Sequence, residues 1–137
     1  MTLATRFARA LDEQDYPAAA SSLAGNCIYD TPEKTHRGIC EIIGSYWEQG
    51  DWASRHLDSV GYQSAVRDGS DGEVIVEFID HIRHAGASHT YRCEQQLTFD
   101  NHGRISKITH IELPGERERL REFFRNVGLQ SPPGRSG

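Results

Sequence analysis

The spacing of the hydrophobic residues changes near residue 56, and this change constrains the fold more than any other feature of the chain. Before it, apolar residues recur every three or four positions, as in amphipathic helices. After it, they alternate with polar residues over several segments, as in strands with one buried face. Helices followed by long strands predict an α+β domain, in which N-terminal helices pack on one face of an antiparallel sheet, and a sheet that curves around the main helix leaves one pocket between them.

The same patterns give the bounds of the predicted elements. We expect helices over 3–14, over a short segment that begins at Tyr16 with Pro17 in its first turn, and over 38–49. Gly44 lies inside the third helix, and we interpret it as a sign of close packing. Strands are predicted at 26–30, 57–67, 73–84, 89–99 and 104–113. A final helix has an apolar stripe and ends at Gly128, a favourable residue just beyond a helix.

Composition limits the classes of function. The chain has 137 residues and a net charge of −5, so we expect one domain over 1–130 and no binding to nucleic acid. The segment 131–137 (SPPGRSG) is predicted to be a disordered tail. No apolar run is long enough for a membrane helix, and no signal peptide is evident. Three widely spaced cysteines indicate reduced, buried thiols in a cytoplasmic protein: Cys27, Cys40 and Cys93.

Two segments carry a resemblance to a known family. The stretch NCIYDTPEKTHRGICEIIGSYWE is similar to the part of steroid Δ5-isomerases and SnoaL-like cyclases in which a strand ends in an acidic residue and leads into the main helix. The stretch TFDNHGRISKITHIELP resembles their final hairpin. Over about residues 3–113 the chain therefore resembles nuclear transport factor 2-like domains. That resemblance implies the cone-shaped fold and a homodimer.

The resemblance also implies a site residue and marks two departures. Asp30 matches the general-base aspartate of ketosteroid isomerases. Phe7 stands where those enzymes have a tyrosine that donates to the oxyanion, and Gln95 stands where they have a protonated aspartate. A phenyl ring cannot donate a hydrogen bond, and enolate stabilisation requires preorganised donors. The resemblance therefore does not carry ketosteroid isomerase activity to this chain.

Several polar residues are predicted to point into an otherwise apolar space: Asp30, Asp80, Gln95, His110 and Glu112. An unpartnered charge is costly to bury, so this set favours a functional pocket over a plain core. We expect Asp30 to be a base, His110 an acid or a donor to a carbonyl, and Asp80 the residue that orients His110. The structural alternatives are a turn residue at Asp30 and a buried His110–Asp80 pair.

The remaining pocket predictions concern mainly apolar side chains. An aromatic stripe at helical spacing is either the pocket mouth or core, and core is the commoner outcome. The complete set predicted to line the pocket is Phe7, Tyr46, Trp47, Trp52, Val76, Phe78, Cys93, Gln95, Ile108 and Glu112.

The leading hypothesis is a small enzyme that performs acid–base chemistry on a small apolar metabolite, by isomerisation, dehydration or cyclisation, without a cofactor. Two alternatives stay open. The first is a domain that binds a hydrophobic ligand without turnover. The second is an interaction module that uses the outward sheet face. A metal site at His81, His84 and His89 is disfavoured, because the first two differ in face parity and no acidic residue stands at ligand spacing.

Overall fold

A computed structural model gives the fold of this protein and describes residues 1–130. The helices are α1 (Leu3–Asp12), α2 (Tyr16–Ser21), α3 (Ile39–His56) and α4 (Glu116–Asn126). The strands are β1 (Leu23–Asp30), β2 (Thr35–Arg37), β3 (Ser59–Asp68), β4 (Val74–His84), β5 (Ala87–Phe99) and β6 (Ile105–Ile111). The predicted tail at 131–137 lies outside the described residues.

The six strands form one sheet in the order β2-β1-β6-β5-β4-β3. Strands β3 to β6 are an antiparallel meander, as the alternating pattern predicts. β1 pairs with β6 in parallel, and the short strand β2 then pairs with β1. The α+β class, with N-terminal helices on a curved sheet and a C-terminal helix, is confirmed. The parallel pair and β2 were not predicted.

Local sequence explains where the helices begin and end. The Thr2 hydroxyl caps α1 by accepting a hydrogen bond from the Thr5 amide at 3.1 Å. Asp15 caps α2 in the same way, through the Ala18 amide at 3.3 Å. The third helix continues to His56, beyond the predicted end at 49, and its partly buried Trp52 and Ala53 pack against a second core cluster that includes Phe124. The final helix ends as predicted, with Gly128 at φ +80°.

The core lies between the helices and one face of the sheet. Phe7 from α1, Ile42 from α3 and Leu97 from β5 are completely buried there. Gly44 has nothing within 4 Å of the position that a Cβ would take, so its interpretation as a close-packing residue is wrong. Cys27 and Cys93 are buried, but Cys40 is exposed on α3, which corrects the prediction of three buried thiols. No helix within residues 1–130 is long and apolar enough to cross a membrane.

Candidate functional site

A cavity of about 150 Å³, open to solvent, lies between the inner face of the sheet and the helices. All five tyrosines of the chain contribute to its wall: Tyr16, Tyr29, Tyr46, Tyr62 and Tyr91. Its apolar wall comes mainly from α3, α4 and the strands, through Trp52, Leu57, Val60, Phe78, Ile82, Cys93, Leu120 and Phe124. Its polar residues are Asp12, Gln14, Gln49, Asp80, Gln95 and His110.

Asp80 lies at the centre of a polar row that crosses three strands. In the strand register it is directly opposite Tyr62 on β3 and Tyr91 on β5, and all three side chains line the cavity. Residues directly opposite in an antiparallel pair have their Cβ atoms about 4.5–5.5 Å apart. Within residues 1–130, neither the Asp80 carboxyl nor the two tyrosine hydroxyls form a hydrogen bond or an ion pair.

Burial determines the charge state of this row. Desolvation, with a smaller contribution from the charge on Asp12, raises the pKa of Asp80 from 3.8 to about 7. Desolvation and the nearby Asp80 charge raise the pKa of Tyr62 to about 12. Desolvation also raises the pKa of Tyr91 well above its usual range. At neutral pH the row therefore offers two protonated phenols beside a carboxyl group that gains and loses its proton.

A hydrogen-bonded cluster lies four residues farther along β5. The Tyr46 hydroxyl donates to Oε1 of Gln95 at 2.7 Å, and Nε2 of Gln95 donates to the Tyr29 hydroxyl at 3.0 Å. The two tyrosine rings stack with their centroids 5.2 Å apart. Gln95 is almost fully buried, and the second hydrogen on its Nε2 is not used by these bonds. Phe78 and Cys93, opposite each other, separate this cluster from Asp80.

His110 lies next to this cluster, opposite Gln95 in the β5–β6 register. Its Nε2 is 3.2 Å from Oε1 of Glu112, and Glu112 also accepts from Arg117 at 2.7 Å. Because a carboxylate only accepts, Nε2 carries the proton of the neutral ring and Nδ1 is the acceptor. Nδ1 is buried without a hydrogen-bond partner within residues 1–130. Desolvation lowers the pKa of His110, so the ring is neutral near pH 7.

One edge of the cavity is formed by the loop between α1 and α2. Gln14 has φ +57°, a left-handed conformation that residues other than glycine rarely adopt. Its side chain and that of Tyr16 line the cavity against Gly50 of α3. A Cβ at Gly50 would lie 2.5 Å from Nε2 of Gln14 and 2.8 Å from the Tyr16 hydroxyl. Glycine at position 50 thus allows both polar groups to approach the helix.

The structure brings seven of the predicted site residues together around the cavity. Asp80 and His110 are among them, with Tyr46, Trp52, Phe78, Cys93 and Gln95. Asp80 and His110 do not pair, however: Asp80 is opposite Tyr91, whereas His110 is opposite Gln95, four residues farther along β5. The structure therefore does not place Asp80 against the His110 ring, because Glu112 is the carboxylate that contacts it.

Asp30, the predicted base, does not line the cavity. Its neighbour Tyr29 takes the inward position on β1, so Asp30 points to the opposite side. There it accepts a hydrogen bond from the Thr35 hydroxyl at 2.7 Å and lies 3.6 Å from Nζ of Lys107. These contacts lower the pKa of Asp30, the Thr35 hydrogen bond most strongly. A solvated carboxylate of low pKa is a weak base.

The other five predicted pocket residues lie outside the cavity wall. Three of them have completely buried side chains and belong to the core: Phe7, Val76 and Ile108. The Phe7 ring packs edge-on against Tyr46, with the two ring centroids 6.1 Å apart. Trp47 is half exposed and does not line the cavity. Glu112 lies behind His110 rather than in the wall.

Sequence reasoning missed Asp12 and the tyrosines at positions 16, 29, 62 and 91 as site residues. The alternation in 89–99 puts Tyr91 on the same face as the predicted pocket residues Cys93 and Gln95, so for Tyr91 the signal was present. Asp12 was visible only as a charged residue near the end of the first helix. Among residues 1–130, no group of three or more His, Cys, Asp or Glu side chains is arranged to hold a metal ion.

The fold of this chain is similar to that of several proteins of known structure. They include TerC co-crystallised with polyporic acid (14% identity, TM-score 0.65, 88% of this chain and 95% of that one). They also include a LEH-like epoxide hydrolase from M. tuberculosis, which is 19% identical with a TM-score of 0.62 over 92% of each chain. A third is a nuclear transport factor 2-like protein of unknown function from Burkholderia pseudomallei. It is 16% identical with a TM-score of 0.64, and the match covers 91% of this chain and 94% of that one.

No protein-family model and no curated protein matches the sequence. At identities below 20%, the structural likeness establishes the fold and leaves the chemistry to be argued from the site. The shared arrangement of helices and sheet over most of each chain agrees with the resemblance seen in the sequence. This chain therefore has the nuclear transport factor 2-like, or SnoaL-like, fold.

Proposed function

We propose that the protein is a cofactor-independent enzyme that transfers protons on a small, largely apolar organic molecule, with Asp80 as the acid–base residue. One observation carries the proposal: a carboxyl group without a hydrogen-bond partner in residues 1–130 faces an apolar cavity between two unpaired phenols. A pKa of about 7 suits a general base or acid at neutral pH, since both protonation states are populated.

The two phenols complete the chemistry. When Asp80 removes a proton from a carbon beside a carbonyl group, negative charge develops on the carbonyl oxygen. Tyr62 and Tyr91, both protonated because burial raises their pKa values, are donors directly beside Asp80. Preorganised donors at the place where charge develops are usually the largest contribution to such catalysis. Return of the proton to another carbon gives isomerisation, and loss of a β-hydroxyl group gives dehydration.

The far end of the cavity orients the substrate. Gln95 offers one N–H, and Nδ1 of His110 offers an acceptor, so a hydroxyl or carbonyl group on the substrate finds a partner there. Tyr46 and Tyr29 hold the Gln95 amide in one orientation. The four-residue step along β5 between Tyr91 and Gln95 corresponds to about 13 Å of strand. The substrate class is thus a compact, largely apolar molecule with a carbonyl group that binds beside Asp80, and a second polar group is an addition that the Gln95 end can bind.

The size of the cavity limits the substrate further. A dry apolar cavity of about 150 Å³ is known to accommodate benzene, so the space here fits a single ring or a short branched chain. The epoxide hydrolase of similar fold supports an enzymatic role for a pocket in this arrangement. Binding without turnover is the alternative function, and the exchange experiment described next distinguishes an enzyme from a binding domain.

The test measures exchange of carbon-bound hydrogen for deuterium. A panel of small ketones, such as cyclohexanone and acetophenone, is incubated with the protein in D₂O and followed by proton NMR. We expect saturable exchange at the carbon beside the carbonyl group for at least one compound. Asp80→Asn should reduce its rate by about 100-fold or more, since a positioned general base contributes about 10²–10⁴.

Asp30→Asn is the matched control, because it removes a carboxylate on the outer side of the sheet. Its exchange rate should equal that of the wild type. Loss of exchange in Asp30→Asn, with exchange retained in Asp80→Asn, would overturn the assignment of the base. Compounds that perturb cavity resonances without any exchange above the Asp80→Asn background would instead establish a binding domain.

A further inference from the structure

Asp12 occupies an unfavourable position for a carboxylate. It is the last residue of α1, and the C-terminal end of a helix carries partial negative charge that repels an anion. Desolvation by partial burial raises the pKa of Asp12, with a smaller contribution from the charge on Glu13, and the hydrogen bond from Ser64 opposes this rise. Nothing in the helix requires an acid here. The placement therefore points to a role outside the helix.

Asp12 is fixed across the cavity edge by a strand residue. The Ser64 hydroxyl donates to Oδ2 of Asp12 at 2.5 Å. Ser64 is opposite Phe78, two residues from the Tyr62–Asp80 pair, so Ser64 and Asp80 are diagonal neighbours on β3 and β4. Such neighbours are about 7–8 Å apart. The hydrogen bond thus holds the Asp12 carboxylate close to Asp80, and both line the same cavity.

The two carboxyl groups have unequal surroundings. Asp12 also lines a groove on the outside of the molecule, between α1 and β3, together with Thr5, Arg9 and Gln63. Solvent in this groove and the Ser64 hydroxyl both favour its ionised form. Asp80 faces only the cavity and receives no hydrogen bond from residues 1–130. When one proton is available to the pair, Asp80 is therefore the member that binds it.

We propose that Asp12 and Asp80 form a carboxyl pair that exchanges one proton near neutral pH, with Asp12 as the ionised positioning residue that strengthens proton binding by Asp80. The proposal deepens the proposed function, since it explains how one side chain serves as acid as well as base. Two nearby carboxyl groups titrate in separate steps, because the second must ionise beside an existing negative charge. Asp12, which ionises first, is supplied by the helix α1, and Asp80, which ionises second, is supplied by the strand β4.

The other titratable groups around the cavity do not replace Asp12 in this role. Around Asp80, each element of the wall contributes phenols, a thiol or a neutral imidazole, and α4 contributes only Leu120 and Phe124. These groups are Tyr16 from α2, Tyr29 from β1, Tyr46 from α3, Tyr62 from β3, Tyr91 and Cys93 from β5, and His110 from β6. Asp12 is the one whose charge acts on Asp80 to raise its pKa.

The test needs no substrate. Carbon-13 NMR of the aspartate carboxyl groups follows the titration of Asp80 in the free protein, with Asp80→Asn used to assign its signal. We expect a midpoint near 7 in the wild type and a fall of one unit or more in Asp12→Asn. Glu13→Gln is the matched control, because it removes the next carboxylate along the chain and should move the Asp80 midpoint by much less.

A second variant keeps the proposal testable if Asp12→Asn unfolds. Ser64→Ala removes the donor to Asp12, so Asp12 should bind a proton more readily and its own midpoint should rise. An Asp80 midpoint that is unchanged in Asp12→Asn, or an Asp12 midpoint that is unchanged in Ser64→Ala, would overturn the pair. A coupled titration without deuterium exchange would leave the pair standing and contradict only the proposed enzyme.

Discussion

The hydroxyl of Tyr46 donates to the side-chain carbonyl of Gln95 at 2.7 Å, and this bond joins α3 to β5 across the interior of the molecule. Gln95 is 4% exposed, so its side chain depends on protein partners rather than on bulk solvent for its hydrogen bonds. The contact thus ties the main helix to the sheet at the inner end of the cavity. It makes the stability of the fold depend on a residue of the candidate site.

Tyr46→Phe should lower the free energy of unfolding by about 1–3 kcal/mol, because it leaves a buried acceptor unpaired. Urea denaturation measures this change. Tyr62→Phe is the matched control, since the Tyr62 hydroxyl has no hydrogen bond to residues 1–130, and its effect should stay within about 0.5 kcal/mol. Equal losses in the two variants would show that the Tyr46–Gln95 bond does not stabilise the fold.

Asp80→Asn should make the protein more stable at pH 8 and leave it nearly unchanged at pH 4. The native pKa of Asp80 is raised to about 7 from 3.8, so between these values the folded state binds more protons than the unfolded chain. The contribution of Asp80 to the free energy of unfolding therefore falls as the pH rises from 3.8 to about 7, by about 1.4 kcal/mol for each unit of pKa difference. Denaturation of both proteins at several pH values measures the difference.

Asp100→Asn provides a control of opposite sign. Asp100 accepts hydrogen bonds from the amides of His102 and Arg104, and these bonds lower its pKa. The contribution of Asp100 to the free energy of unfolding is fully present above its pKa in the unfolded chain, about 3.8, and it is lost as the pH falls through its lower pKa in the folded state. The asparagine variant should therefore be less stable than the wild type near neutral pH and approach it in acid. The same pH trend in both variants would contradict the assignment for Asp80.

Gln14→Gly should stabilise the fold and weaken ligand binding. Glycine adopts the left-handed conformation at this position without the cost of about 1–2 kcal/mol that other residues incur. The same change removes an amide from the cavity edge. Ala85→Gly, at φ +52° in the β4–β5 turn, should stabilise the protein without affecting the cavity. Thermal unfolding combined with ketone titration by NMR separates the two effects.

Two glycines of α3 should respond differently to alanine. Gly44→Ala should stabilise the protein by about 0.5–1 kcal/mol, because the added methyl group meets nothing within 4 Å and alanine favours helix. Gly50→Ala should lose this gain, since its methyl group displaces the ends of the Gln14 and Tyr16 side chains. Parallel unfolding curves measure both. Equal stabilisation by the two substitutions would show that Gln14 and Tyr16 move aside without cost.

The sequence predicted the fold well because periodicity records which face of each element is buried. It located the meander, the inward faces of β4 and β5, and the end of α4 at Gly128. It did not reveal the parallel pairing of β1 with β6, since that contact joins distant segments without a local signal. The α+β class followed from local patterns alone, whereas the order of strands required the structure.

The candidate site was less predictable, because it depends on side-chain direction at single positions. On β1, Cys27 and Tyr29 form one alternating set and Ile28 and Asp30 the other, and both sets mix polar with apolar residues. The match to isomerases favoured the set that contains Asp30, whereas the structure buries Tyr29. On β4 the alternation was unambiguous, and Asp80 was placed correctly on the inward face.

The parallel pairing of β1 with β6 also sets the order in which the chain matures. Leu23 leaves the ribosome about 80 residues before its partner Ile105. At about 5–20 residues per second, β1 waits several seconds for the strand that satisfies its edge. During that interval Tyr29 has neither β6 beside it nor the Gln95 amide to bond. The cavity is therefore among the last features of the molecule to form during synthesis.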